Sequence, residues 1–219
     1  MAKKTFAVIG IGRFGLSVVE ELIKNKFEVL VIDRNPDRIA KVAKIATHAV
    51  VVDTSDENAL REVGIQSIDH VIVAIGKDIE DSILTTLILK ELGVKQVTVK
   101  VQNLYHEKVV LRLGADEVVQ PEYMMGKRLA HQIVSNSILE YYDLNETHSF
   151  IVLKASDKLV DTTVINLDLR NKYGINLVAI KRGEDVIIPG PDSIFEVHDQ
   201  LLVVGKNTDL QRFSAWCEK

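Results

Sequence analysis

Three glycines, Gly10, Gly12 and Gly15, punctuate "FAVIGIGRFG" (residues 6–15), between a short apolar run and a helical pattern. Gly10 permits a tight turn, Gly12 lets the backbone approach a phosphate, and Gly15 allows close packing of helix on strand. Free N–H groups and the helix dipole favour an anion at that end. An acid, Asp33, follows at the end of the second apolar run, eighteen residues after Gly15. A carboxylate there can accept both ribose hydroxyl protons of an adenosine, so the combination predicts nucleotide binding. Arg34 beside it could accommodate a 2′-phosphate, which leaves NADP open.

Arg13 lies in the first helical turn, where a cation opposes the helix dipole. An anionic ligand would reverse that penalty and add a charge-assisted hydrogen bond. The plainer alternative is a solvated surface arginine. Asp53 and Thr54 in "VVDTSDE" stand after the third apolar run, where Asp53 and the peptide edge could read an adenine amino group. They could equally cap the helix of "DENAL". Gly76 in "AIG" (74–76) ends the fourth run, at the crevice of a doubly wound sheet.

The elements that must position these groups are legible as alternation. Short β-branched runs recur as "FAVIG" (6–10), "EVLVID" (28–33), "HAVVVD" (48–53), "HVIVAIG" (70–76), "QVTVKVQ" (96–102) and "EVVQP" (117–121). Their near-continuous apolarity suits strands covered on both faces of a parallel sheet. Helical patterns lie between them, with Val18, Val19, Leu22 and Ile23 on one face of the first. Asn35-Pro36 reads as an N-cap with proline at the first helical position, and Gly64 and Gly93 read as glycines just past helix ends. Six such units predict an α/β, Rossmann-like doubly wound domain over residues 1–144, closed by a long helical stretch at 125–144. The polar "NETH" (145–148) reads as a boundary. After it, short strands, turns and a terminal helix from about Thr208 make a small α+β lobe over 149–219.

Composition narrows the functional classes. The 219 residues are 47% hydrophobic and 26% charged, enough for a real core. Lysine and arginine total 27 against 31 acids, a net charge of -4 and a poor footprint for nucleic acid. The single cysteine, Cys217, makes no intramolecular disulfide and suits a reducing cytosol. No apolar run approaches the roughly 20 residues of a membrane helix.

The set "GIGRFG", "VIDRNPDRIAKVA", "VVDTSDE", "VIVAIG" and "VKVQNLYHEKVVLRLGADEVVQPE", followed by the small lobe, resembles RCK proteins, the regulators of potassium conductance. It looks most like the cytosolic subunits of bacterial Ktr-type potassium transporters. The resemblance implies a non-enzymatic regulatory subunit that binds ATP or ADP, with NAD(H) as a further candidate. It implies homodimers assembling into a homo-octameric ring at the cytoplasmic face, beneath an integral membrane potassium-translocating subunit. Carried over by motif, Ile11, Gly12 and Arg13 would touch phosphates and Asp33 the ribose. Asp53, Thr54, Ala74, Ile75 and Gly76 would surround adenine and its sugar, with Lys100 and His106 lining the outer cleft. Glu122 would hold Mg2+ or Ca2+ beside the γ-phosphate. In the small lobe, Arg170 and Asn176 would reach the phosphates of cyclic di-AMP across a dimer interface. Ile165, Leu167, Ile175, Pro189 and Pro191 would supply apolar walls there.

The competing reading is an NAD(P)-dependent oxidoreductase or redox sensor. A dehydrogenase needs an acid–base group beside the nicotinamide. The tail offers only His198, in the polar turn "VHDQ".

Overall fold

The computed structural model describes residues 4–218, which form two compact units dividing after Pro121. The first contains β1 (Thr5–Ile9), α1 (Arg13–Lys24), β2 (Glu28–Asp33), α2 (Pro36–Val42), β3 (His48–Val51) and α3 (Glu57–Glu62). It continues with β4 (His70–Val73), α4 (Ile79–Glu91), β5 (Gln96–Lys100), α5 (Leu104–Arg112) and β6 (Glu117–Val119). The six strands form one parallel sheet in the order β3-β2-β1-β4-β5-β6. The order reverses between β1 and β4, which opens a crevice at the carboxyl ends of those strands.

The period of two along each strand divides the core into two layers. Ala7 and Ile9, Leu30 and Ile32, and Val71 and Val73 pack with Leu60, Leu89 and Val110 on one face. Val8, Val29, Val31 and Ile72 pack with Val19, Ile39 and Val42 of α1 and α2 on the other. Both faces are covered, which explains the unbroken apolar runs. Local signals end the helices as expected. Asn35 accepts from the N–H groups of Asp37 and Arg38, and Gly64 and Gly93 take φ of 74° and 78° directly after α3 and α4.

The second unit comprises α6 (Pro121–Val134), β7 (Ile138–Asp143), β8 (His148–Lys154), α7 (Val164–Leu167) and α8 (Leu169–Tyr173). It ends with β9 (Asn176–Arg182), β10 (Asp185–Ile187), β11 (Gln200–Lys206) and α9 (Asn207–Glu218). Its antiparallel sheet runs β10-β9-β11-β8-β7. The long helix expected over 125–144 therefore stops at Val134, and "ILEYYD" becomes strand β7. The reason is non-local: β7 pairs with β8, and Tyr141 stacks on His131 of α6 with centroids 3.7 Å apart. The segment "NETH" is the turn of that hairpin, where Asn145 Oδ1 accepts from the N–H groups of Thr147 and His148.

Phe195 and Phe213 are fully buried in the second core, beside Trp216. Arg182 clamps Asp199 there through Nε and Nη2, both at 2.9 Å. Burial alone would raise the Asp199 carboxyl; the guanidinium and the Glu196 N–H outweigh it and hold the group below its ordinary value. A depressed carboxyl stabilises the fold above its unfolded value near 3.8, and that contribution is lost as pH falls through the folded value. Replacing Asp199 by alanine leaves a partly buried cation short of its partner, at a cost of about 2 kcal/mol. Trp216 fluorescence in urea reports this unit, and the Asp199→Ala midpoint should fall well below wild type. An unchanged midpoint contradicts the role given to the clamp.

Candidate functional site

The crevice is organised by one buried carboxylate. Asp33, at the end of β2, is 4% exposed. Its Oδ2 accepts the Ile11 N–H at 2.6 Å and lies 3.2 Å from Nη1 of Arg38, while Oδ1 accepts the Asn35 N–H at 2.8 Å. The glycine turn is thus tied to the neighbouring strand's end through Ile11. Gly10 completes the turn at φ 91°, and a Cβ there would meet the Ala74 backbone at 3.0 Å. A Cβ on Gly15 would stand 2.0 Å from the Gly10 carbonyl oxygen. This fixes how deeply α1 seats against β1.

Gly12 is different. It is the N-cap of α1, with extended backbone and no side chain to accept the first-turn N–H groups, and a Cβ there would meet nothing within 4 Å. By contrast α2, α3, α4 and α5 are capped by Asn35, Asp56, Asp78 and Asn103. Each of those helices carries an acid in its first turn, whereas α1 carries none. Arg13 occupies that turn, exposed and paired with no acid among the described residues. An open approach, uncapped N–H groups and a cation together fit an anion.

Across the switch point, Ala74 is buried and donates its N–H to the Ile9 carbonyl at 2.7 Å; Ile75 and Gly76 lead outward. Lys100 is buried, with Nζ 3.5 Å from where a Gly76 Cβ would sit and 5.8 Å from the Phe14 ring centroid. Gln102, which the sequence reading did not single out, donates from Nε2 to the Gly76 carbonyl at 3.1 Å. His106 is 2% exposed. Its Nδ1 accepts the Gln102 N–H at 3.3 Å, and Nε2 has no partner among the described residues. Burial lowers its pKa, so the ring is neutral near pH 7.

The loop after β3 divides its expected roles. Asp53 is exposed, and hydrogen bonds from the Ser55 hydroxyl and N–H hold its carboxyl below the ordinary value. Asp56, not Asp53, caps α3. Thr54 is buried and its hydroxyl meets that of Thr85 on α4 at 2.9 Å. Arg34 pairs with Asp81 of α4 at 2.7 Å.

The remaining expected residues lie in the second unit. Glu122 is exposed in the first turn of α6. Arg170 Nε donates to Asn176 Oδ1 at 3.0 Å on the surface. No group of three or more His, Cys, Asp or Glu gathers to hold a metal among the described residues. Cys217 is buried, which pushes its thiol up to about 12, far from the reactive range of a redox sensor. His198 is exposed in a turn at φ 69°, a surface position.

The parallel sheet with its glycine turn defines a TrkA-N domain: that family model matches residues 6–121, and the TrkA-C domain model matches 149–218. The chain is 52% identical over 212 residues to Ktr system potassium uptake protein C of Bacillus subtilis (strain 168), covering 96% of each chain. It is 42% identical to Ktr system potassium uptake protein A of the same organism, over 96% of this chain and 95% of that one. The chain belongs to the RCK-type regulatory subunits of Ktr potassium uptake systems, which are not enzymes. A solved GsuK channel bound to NAD has the same fold, with a TM-score of 0.69 at 14% identity over 95% of this chain and 38% of that one.

The two glycines make opposite predictions. Gly15→Ala forces backbone against backbone and should cost about 3 kcal/mol. Gly12→Ala enters open space and should cost no more than about 1 kcal/mol, the N-cap preference for glycine over alanine. Thermal unfolding followed by far-ultraviolet circular dichroism checks both. Equal stability of the two variants contradicts the packing described here.

Proposed function

We propose that the first unit binds ATP or ADP and that the bound nucleotide sets the activity of a potassium-translocating membrane partner. The observation that carries this is the uncapped, unobstructed amino end of α1, held in place by the Asp33–Ile11 bond. The phosphates would lie over Ile11, Gly12 and Arg13. Asp33 serves first to hold the turn; Oδ1, which accepts one bond, keeps capacity for a ribose hydroxyl. Gly76, Ile75 and Ala74 would border the adenosine, with Asp53 at its rim and Lys100 toward the phosphates. Thr54 and His106 act from behind, since both are buried.

No helix among the described residues is long and apolar enough to cross a membrane. We assign the chain to the cytoplasmic face through its partner, as homodimers closing into an octameric ring. Regulation then requires only that nucleotide bind two shapes of that assembly with different affinity. A divalent cation suits the family reading of Glu122. One carboxylate supplies only one or two of the six or more oxygens that Mg2+ or Ca2+ takes.

Calorimetric titration of the full chain with ATP, ADP and NADH, with and without EDTA, tests the reading. Gly12→Asp is the sharpest variant, because a carboxylate cap satisfies the first-turn N–H groups and repels phosphate. It should bind ATP and ADP roughly tenfold or more weakly while melting no lower than wild type. Undiminished nucleotide affinity would sink the assignment. If Glu122 holds the cation, Glu122→Gln removes the EDTA sensitivity of ATP binding.

The second unit is proposed to bind cyclic di-AMP in its dimer, where a two-fold ligand suits a two-fold surface. The supporting features are the exposed Arg170–Asn176 pair and the exposed apolar Ile165, Val178 and Ile188. Leu167 and Ile175 are core residues, which removes them from the apolar walls expected there. Titration with cyclic di-AMP should give one ligand per dimer, and Arg170→Ala should lose it; uptake unaffected by that change refutes the role of Arg170.

A further inference from the structure

β2 and β4 are not neighbours, because β1 lies between them. At the usual strand spacing their carboxyl ends stand roughly 10 Å apart. Arg34, the first residue after β2, and Asp81, in the first turn of α4, nevertheless meet, with Nη1 and Oδ2 at 2.7 Å. The pair thus joins the end of β2 to the first turns of α4, where Thr85 also meets Thr54 of the loop after β3. Both roots are held. Asp33, next to Arg34, is buried and bonded to the Asn35 N–H, and the Asp81 N–H is bonded to the Asp78 cap at 3.2 Å.

The charge around this rim is balanced. Arg38 faces Asp33 at 3.2 Å and Arg34 faces Asp81, so each arginine beside the end of β2 already has a carboxylate. A nucleotide with free ribose hydroxyls adds no charge there. A 2′-phosphate adds about two negative charges and finds no uncommitted guanidinium among these four residues. Arg34 stands where an arginine can take a 2′-phosphate in a dinucleotide-binding fold. Here it is turned to α4 instead.

We infer that Asp81 selects nucleotides with unesterified ribose hydroxyls by pairing with Arg34 and withholding it from the sugar. This rests on the reading of the crevice as an adenine-nucleotide site. The two side chains are 66% and 31% exposed, and exposed ion pairs are weak. The pair therefore biases a ratio of affinities rather than forbidding entry.

The test compares ADP with its 2′-phosphorylated form by calorimetry on the full chain. Wild type should prefer ADP by at least tenfold. In Asp81→Asn the preference should shrink about threefold to fivefold, because Arg34 is released from a weak exposed pair. In the double variant Arg34→Ala with Asp81→Asn, that gain for the 2′-phosphate should vanish. A ratio in Asp81→Asn within twofold of wild type overturns the inference, as does a gain that persists without Arg34. A wild type that binds neither compound instead overturns the nucleotide reading, and the inference with it.

Discussion

The bond from the Ile11 N–H to the Asp33 carboxylate is the constraint on which the rest of the first unit's site depends. At 2.6 Å, with Asp33 almost wholly buried, it joins the turn after β1 to the end of β2. A buried charged acceptor of this kind is worth about 1.5–3 kcal/mol, and leaving it unmade costs as much. With Ile11 fixed, Gly10 must take its left-handed turn against the Ala74 backbone, and Gly15 must face the Gly10 carbonyl without a side chain. What remains free is Gly12. A stability-driven sequence would cap α1 there, as α2 to α5 are capped, and this one does not.

The same logic separates scaffold from site on the other side of the crevice. Thr54 and Thr85 fasten the loop after β3 to α4, and Gln102 fastens the Gly76 carbonyl to the end of β5. These bonds hold the rim from beneath and leave Arg13, Gly76 and Asp53 outward. His106 Nε2 is an exception, a buried donor without a partner among the described residues. The second unit carries its own buried clamp at Asp199 and its own aromatic core, so its stability does not rest on the glycine turn.

Much of this could be read in the residues because the signals were local. The glycine spacing, the acid after "VLVI", the Asn35-Pro36 start and the glycines after α3 and α4 each act within a few positions. The failures were non-local. "ILEYYD" carries no period that separates strand from helix, and its pairing with β8 and stacking on His131 decide the matter. "NETH" is polar both as a linker and as a hairpin turn. Asp53 and Asp56 are equally good caps by type, and only the helix start distinguishes them. That Asp33 would spend its oxygens on Ile11, Asn35 and Arg38, and Arg34 on Asp81, depends on distances no linear pattern encodes.

Hydrogen exchange over residues 9–17, with and without ADP, tests the central claim most directly. The Ile11 amide should be protected in the free protein, since Asp33 already holds it, whereas the amides of Gly12 to Phe14 should exchange freely and slow when ADP binds. Ligand-induced protection that spares this turn and appears elsewhere, or an Ile11 amide that exchanges as fast as its neighbours, would contradict the account.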